Sequence, residues 1–243
     1  MKKHLSIAVL VLMAAGLSFS ADVYVKTKNH SDAASFMGQT SPATDSVAEQ
    51  WFSDTQFAQI GTDDSFVIDL GKKLVWIVNH KSKSYVETPL PLDFAKLLPP
   101  EAAAMAGMFK MTAAVNPTNE KKKIGAWDCE GYDVTISIMG MAMNMKVWAT
   151  TDLPFDPAIY KEKLLPAFLS GTMRLDDASI KEMAKIQGFQ IAMDMNAEIM
   201  GAKMHTTSEV LEIAKKNAPA GVYAVPAGYT KKASLTMEEL QKR

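Results

Sequence analysis

The run Met139-Gly140-Met141-Ala142-Met143-Asn144-Met145-Lys146-Val147-Trp148 alternates with a period of two, and no other feature limits the fold as tightly. Successive side chains of a strand point to opposite faces. Met139, Met141, Met143, Met145 and Val147 therefore share one face, and Gly140, Ala142, Asn144, Lys146 and Trp148 share the other. Unbranched thioethers are soft and adaptable, which suits either a filled core or a cavity that accepts varied apolar ligands. A second run repeats the pattern. Phe189, Ile191, Met193, Met195, Ala197 and Ile199 have one parity, opposed by Gln190, Asp194, Asn196 and Glu198. Gly201 turns this strand into Ala202 to Ile213, whose polar parity carries Lys203, His205, Thr207 and Glu209, giving a long hairpin with one wet face.

Strands also fill the first part of the chain. Asp22 to Lys28 alternates β-branched and aromatic residues, and after the turn-rich segment Gly38 to Ser46 the stretches Val47 to Ser53 and Gln56 to Ile60 form a pair. Gly61 to Asp64, Gly71 to Lys73 and Asn79 to Lys83 turn the chain into Phe66 to Leu70, Leu74 to Val78 and Ser84 to Thr88. Such short connections join antiparallel neighbours. Leu74-Val75-Trp76-Ile77-Val78 is apolar at both parities, so it is expected in the middle of the sheet with cover on both faces. The expected cover is a helical turn from Asp93 and a second one from Pro99 to Phe109. A strand from Lys110 to Asn116 then leads through a charged loop, Asn119 to Lys123, into Trp127 to Ile138.

Two amphipathic helices are expected after the methionine strand. Asp156 with Pro157 supplies an N-cap and a first-turn proline, with Phe155 and Tyr160 placed as a hydrophobic staple. Asp176 repeats the signal with Leu175 and Ile180, and Gly188 is the expected stop. Thr236 with Glu239 makes a capping box for a terminal helix.

The ends set the compartment. Lys2-Lys3, the apolar run Leu5 to Leu17 and the small residues around Phe19 form a signal peptide over residues 1–20, with cleavage after Ser20. The run is shorter than the roughly 20 residues of a spanning helix, and no later segment approaches that length. The expected product, residues 21–243, is one exported periplasmic or secreted domain. A lipoprotein is not expected, because no cysteine stands at the expected cleavage point. Of 26 basic residues, 24 remain without Lys2 and Lys3, against 27 acidic ones, a net charge of -3. With Arg174 and Arg243 the only arginines, nucleic-acid binding is not expected. Cys129 is the only cysteine, so no internal disulfide can form, and its neighbours Trp127 and Tyr132 place it in a buried strand.

No pattern for nucleophilic catalysis is present, neither a serine on a glycine-flanked elbow nor a cysteine with a partner histidine. His30, His80 and His205 are scattered without metal-ligand spacing, His80 in a turn where solvation is expected. An enzyme is not expected, nor a cofactor. The methionines number 17, or 15 without Met1 and Met13, and thioethers can hold copper(I). Alternate residues of a strand lie about 6.5 to 7 Å apart, however, too far for one strand to grip an ion.

The segments Gly125-Ala126-Trp127-Asp128-Cys129-Glu130-Gly131-Tyr132-Asp133-Val134, Val147-Trp148 to Pro154 and Val222-Tyr223 to Tyr229 resemble an exported bacterial family, domain of unknown function 4412. More distantly, Gln50-Trp51-Phe52 and Trp76 to Glu87 resemble the early strands of the LolA-like lipoprotein carriers. That second resemblance implies a curved half-barrel with helices covering its concave face, able to hold acyl chains. Such carriers present an arginine near the cavity. Here none precedes Arg174, which speaks against lipoprotein carriage.

The expectation is thus an α+β, mainly antiparallel half-barrel that binds a lipid or other apolar small molecule. Its expected ligand-binding residues are Met139, Met141, Met143, Met145, Trp76, Met193 and Met195. The alternatives are a copper(I)-binding protein and an interaction or sensing module with a filled core whose partner is an envelope protein.

Overall fold

The computed structural model describes residues 21–36, 39–99, 103, 111–138, 141–156, 160–166, 175–199, 201–236 and 239. Residues 1–20, Met139 and nearly all of the Pro99 to Phe109 segment lie outside them. Twelve strands form one sheet. In chain order the strands are β1 (Asp22–Ser31), β2 (Ala34–Phe36), β3 (Gln39–Ser41), β4 (Thr44–Phe52), β5 (Gln56–Ile60), β6 (Asp64–Asp69) and β7 (Leu74–Asn79). They continue as β8 (Ser84–Pro89), β9 (Met111–Ile124), β10 (Trp127–Ile138), β11 (Met141–Thr150), β12 (Phe189–Ile199), β13 (Ala202–Lys216) and β14 (Thr230–Lys232).

The sheet order is β14-β8-β7-β6-β5-β4-β1-β13-β12-β11-β10-β9, with β2 and β3 apart as a small hairpin. Two meanders, β4 to β8 and β9 to β13, therefore meet on β1. That strand pairs antiparallel with β4 over Val23 to Ser31 and with β13 over Asp22 to Ser31. Every named pair is antiparallel except β14 with β8.

The chain is mainly β rather than the α+β expected. Among the described residues the only α-helix of a full turn or more is α1 (Asp177–Met183), joined by a 3-10 turn at Phe94–Leu97 and a π-helical turn at Tyr160–Leu164. Two of the expected N-caps are present, Asp93 accepting from the Ala95 amide and Asp176 from the Ser179 amide, while Pro157 lies outside the described residues. Reciprocal bonds between Thr236 and Glu239 complete the terminal capping box. The expected charged loop at Asn119 to Lys123 is instead the end of β9. Its lysines pair in register with β10 while their side chains stay exposed.

Three apolar clusters hold the sheet. The first gathers Val23, Val25, Phe52, Phe57, Ile68, Val75, Ile77 and Val86 with Leu92, Leu97, Leu164 and Leu235 from the connecting segments. The second, of the opposite parity, holds Tyr24, Trp51, Ala58, Val67, Trp76 and Val78, and the segment 217–229 lies over it with Val222, Tyr223 and Tyr229. So β7 is covered on both faces as expected, one cover being the extended C-terminal segment. It does so as third strand from one edge rather than in the middle. The third cluster lies at the far end, with Val115, Tyr132, Val134, Ile136 and Val147 against Met183 of α1 and Ile186 just after it.

Sheet edges invite unwanted pairing, and both are blunted. Strand β14 is only three residues long and carries Lys231 and Lys232. Along β9 the outward amides of Ala113 and Val115 donate to Ser179 Oγ (3.0 Å) and Glu182 Oε2 (3.1 Å) of α1. Pro117 has no amide to offer, and Lys121 to Lys123 follow. The helix thus closes the half of the edge that the lysines do not guard.

Gly188 is not the helix stop. At φ +81° it lies against the Thr150 carbonyl, into which any Cβ would project. Gly188→Ala is expected to lower stability by at least about 3 kcal/mol, through left-handed strain plus that overlap. Gly201→Ala, with the same φ but open space, is expected to cost only about 1 to 2 kcal/mol. Urea titration of both variants checks the difference; equal losses would mean that Gly188 does not touch β11.

Candidate functional site

Among the described residues, the structure brings most of the methionines together. Met145 stands directly opposite Met195, and Val147 opposite Met193, so two strands supply one face. Met143, Met145 and Met193 pack with Met111 and with Met183 of α1, while each β11 and β12 methionine stays half-buried. Trp76 is not among them. It is buried in the second cluster, its indole N–H donating to Glu87 Oε2 at 2.8 Å, with Lys72 Nζ 5.3 Å from a ring centroid.

For copper(I), the pair Met145 and Met195 offers two thioethers. His205 and His30 cannot join them, because strand alternation puts both histidines on the other face. Among the described residues no group of three or more histidines, cysteines and acidic residues is placed to hold a metal.

Two of the three histidines among the described residues are bridged by Asp32, although 175 positions separate them in the chain. Asp32 Oδ1 lies 3.0 Å from His30 Nε2, and its Oδ2 lies 2.8 Å from His205 Nδ1. The outer nitrogens face Asp45 (3.0 Å) and Asp194 (3.2 Å). The result is a chain of alternating carboxylates and imidazoles across β4, β1, β13 and β12. A ring whose two nitrogens both face carboxylates is best satisfied when both carry protons. The hydrogen bonds that His30 donates to Asp45 and Asp32 raise its pKa, the one that His205 donates to Asp32 raises that of His205, and the two imidazoles lower Asp32. The sequence spacing hides this constellation because β1 and β13 are the chain's two distant ends.

His80 is tied rather than solvated. Its ring nitrogens bond Ser65 Oγ (2.7 Å) and the Tyr229 hydroxyl (3.0 Å), fastening the C-terminal cover to β6 and β7. Serine, imidazole and an orienting hydroxyl are the parts of a nucleophile relay. Ser65 is buried, however, and none of the three principal cavities reaches it. Cys129 is buried as expected, and burial pushes its thiol pKa up, away from the reactive range.

The principal cavities lie elsewhere than on the methionine face. One, of about 410 Å³, is floored by Val23, Phe52, Phe155 and Leu164, and rimmed by Asp22, Asp54, Asp156 and Lys215. Its floor belongs to an aromatic group in which Phe52 and Phe155 each meet Phe189 edge to face at 6.1 Å. Burial raises the pKa of Asp22. The second, about 670 Å³, is an open cleft bordered by the β9–β10 turn, and Met193 is its only lining methionine. Sequence reading missed both, since their walls come from five or more elements; the apolar parity of Val23 and Phe52 was the one available signal.

The family described as "Domain of unknown function (DUF4412)" matches residues 50–229. No curated protein matches. Among solved structures, the chain is similar to "Structure of PNGF-II in C2 space group", at 12% identity and a TM-score of 0.38. That match covers 86% of this chain and 31% of the other, so the chain spans about a third of that protein's length.

The paired charges have a pH consequence. The histidine contribution is fully present below the unfolded imidazole pKa of about 6.5 and is lost as pH rises through the raised folded values. The Asp32 contribution has the opposite sign, present above its unfolded value and lost as pH falls through the lowered one. Stability should therefore fall from about pH 6 to about pH 9, and the fall should shrink in a His30→Gln, His205→Gln double variant. Denaturant titrations at the two pH values give the comparison; identical falls in both proteins would show that these rings do not titrate with folding.

Proposed function

The chain belongs to the family described as domain of unknown function DUF4412, and we propose that it is an exported, non-enzymatic protein that binds a lipid-like amphiphile. The carrying observation is the cavity of about 410 Å³ with an aromatic and aliphatic floor beneath a charged rim. Its size falls within the roughly 300 to 1,000 Å³ usual for small-molecule sites. An alkyl tail on the floor gains about 0.8 kcal/mol per CH₂ removed from water, so a tail of about eight carbons supplies about 6 kcal/mol before association costs. The head group stays at the rim with Asp22, Asp54, Asp156 and Lys215.

The half-barrel reading supports this. One core cluster unites Ile124 and Cys129 of β9 and β10 with Val75 and Ile77 of β7, strands from opposite ends of the sheet, as expected of a sheet curved around its contents. Leu164, in the π-helical turn, and Leu97, in the 3-10 turn, then cover that face. The proposed site differs from the methionine face: Met143, Met145 and Met193 pack against Met183 beside Ile186.

Titration with N-phenyl-1-naphthylamine, an apolar fluorophore, tests this. Saturable binding is expected, with displacement by long-chain amphiphiles, at least ten-fold weaker binding to Leu164→Trp, and no change in a Met143→Leu, Met145→Leu variant. Thermal melts check that the variants are folded. Binding that survives Leu164→Trp but is lost with the methionines would return the site to the methionine face. No binding at all would overturn the proposal.

A further inference from the structure

The larger cleft has a different chemistry. Register alone builds its floor: Lys28 stands opposite Glu209, Glu209 opposite Ala192, Ala192 opposite Trp148, and Trp148 opposite Gly131. In-register residues share a face, so five strands lay these residues in one row. The next row on that face runs His30, Thr207, Asp194, Lys146 and Asp133. Lys122, Lys123, Ile124 and Gly125 of the β9–β10 turn form a wall beside the two rows. The enclosed space is about 670 Å³, the largest of the three principal cavities.

Trp148 sets the character of the floor. A Cβ on Gly131 would come 3.1 Å from the indole and 2.8 Å from Thr118 Oγ1, so the ring lies over β10 only because position 131 has no side chain. Lys122 Nζ and Lys146 Nζ sit 5.6 Å and 5.5 Å from the indole ring centroid. Trp148 remains half-buried and lines the cleft with Ala192 and Ile124. An indole beside small apolar side chains is a platform for the flat face of a ring.

The charges around that platform do not cancel. Lys146 is already held by Glu120 (2.8 Å) and Asp133 (3.2 Å), and Asp194 by His205 and Asn196. By contrast Lys28, Lys122 and Lys123 form no ion pair among the described residues, and Glu209 is the one lining carboxylate in the same condition. Three ammonium groups without an ion pair, against one such carboxylate, leave the cleft positive in a chain whose net charge is negative. Thr207, in the second row, adds a hydroxyl beneath them.

We infer that this cleft binds an organic anion, a phosphate or carboxylate carried on a ring whose flat face stacks on Trp148 while Lys122, Lys123 and Lys28 hold the charge. The ring is aromatic or a pyranose, since both present a flat apolar face and the same anion. The site is separate from the amphiphile cavity in residues and in charge, so either can fail without the other.

Calorimetric titration with 2-naphthyl phosphate and with glucose 6-phosphate distinguishes the two rings, and inorganic phosphate is the control. At least one ring phosphate is expected to bind more tightly than inorganic phosphate, and the tighter of the two identifies the ring. Its affinity should fall at least ten-fold in Lys122→Gln, Lys123→Gln, at least five-fold in Trp148→Leu, and steeply with added salt. Leu164→Trp should leave it unchanged. The lysine variant alters exposed side chains and keeps the test valid if Trp148→Leu is poorly folded. Absence of binding by both ring phosphates, unchanged affinity in the lysine variant, or inorganic phosphate binding as tightly as both would overturn the inference.

Discussion

The pairing of β1 with both β4 and β13 is the constraint on which the rest depends. Residues near the start of the described chain lie against residues near its end, and only this strand joins the two meanders. Contacts of such sequence separation form late in folding, because loop closure must precede the hydrogen bonds that compensate it. Once formed, they create everything of chemical interest here. The His30, Asp32 and His205 chain straddles the β1–β13 seam. Lys28 and Glu209, on the same seam, begin the floor row of the larger cleft, and Val23 with Lys215 borders the smaller one.

Each face and edge of the sheet then needs cover, and each receives a different kind. The segment 217–229 lies along Tyr24, Trp51 and Trp76, and it is anchored by Tyr229 to His80. Helical turns bring Leu97 and Leu164 to the opposite face. The helix α1 does two things at once, burying Met183 against the methionines and capping two edge amides of β9 with Ser179 and Glu182. A seven-residue helix has little stability of its own, so these tertiary contacts hold it.

Period and turn chemistry made most of the strands legible. The alternation of Asp22 to Lys28, the turns at Gly71 and Gly201, and the N-caps Asp93 and Asp176 all act over a few residues. What escaped were the long-range facts. Nothing local to Thr230–Lys232 announces a parallel pairing with β8, and nothing near His30 points to His205. Lys121 to Lys123 looked like a loop because charge favours exposure, yet an exposed edge strand satisfies that preference equally well. Trp76 and the methionines are all apolar and on strands, but parity alone does not reveal which face of a distant strand each will share. The same limit hid both cavities, since each is a property of the register between strands.

The continuity of the sheet through β1 holds both clefts and the histidine chain in place. In a strand paired on both sides, amides of both parities are hydrogen-bonded, so all of them resist exchange. Residue-resolved amide hydrogen exchange by NMR measures this directly. Slow exchange at consecutive positions from Val23 to His30 is the expected result. Loss of protection at the alternate positions whose amides face β13 would mean that β13 does not pair with β1, and would dissolve the histidine chain and the larger cleft together.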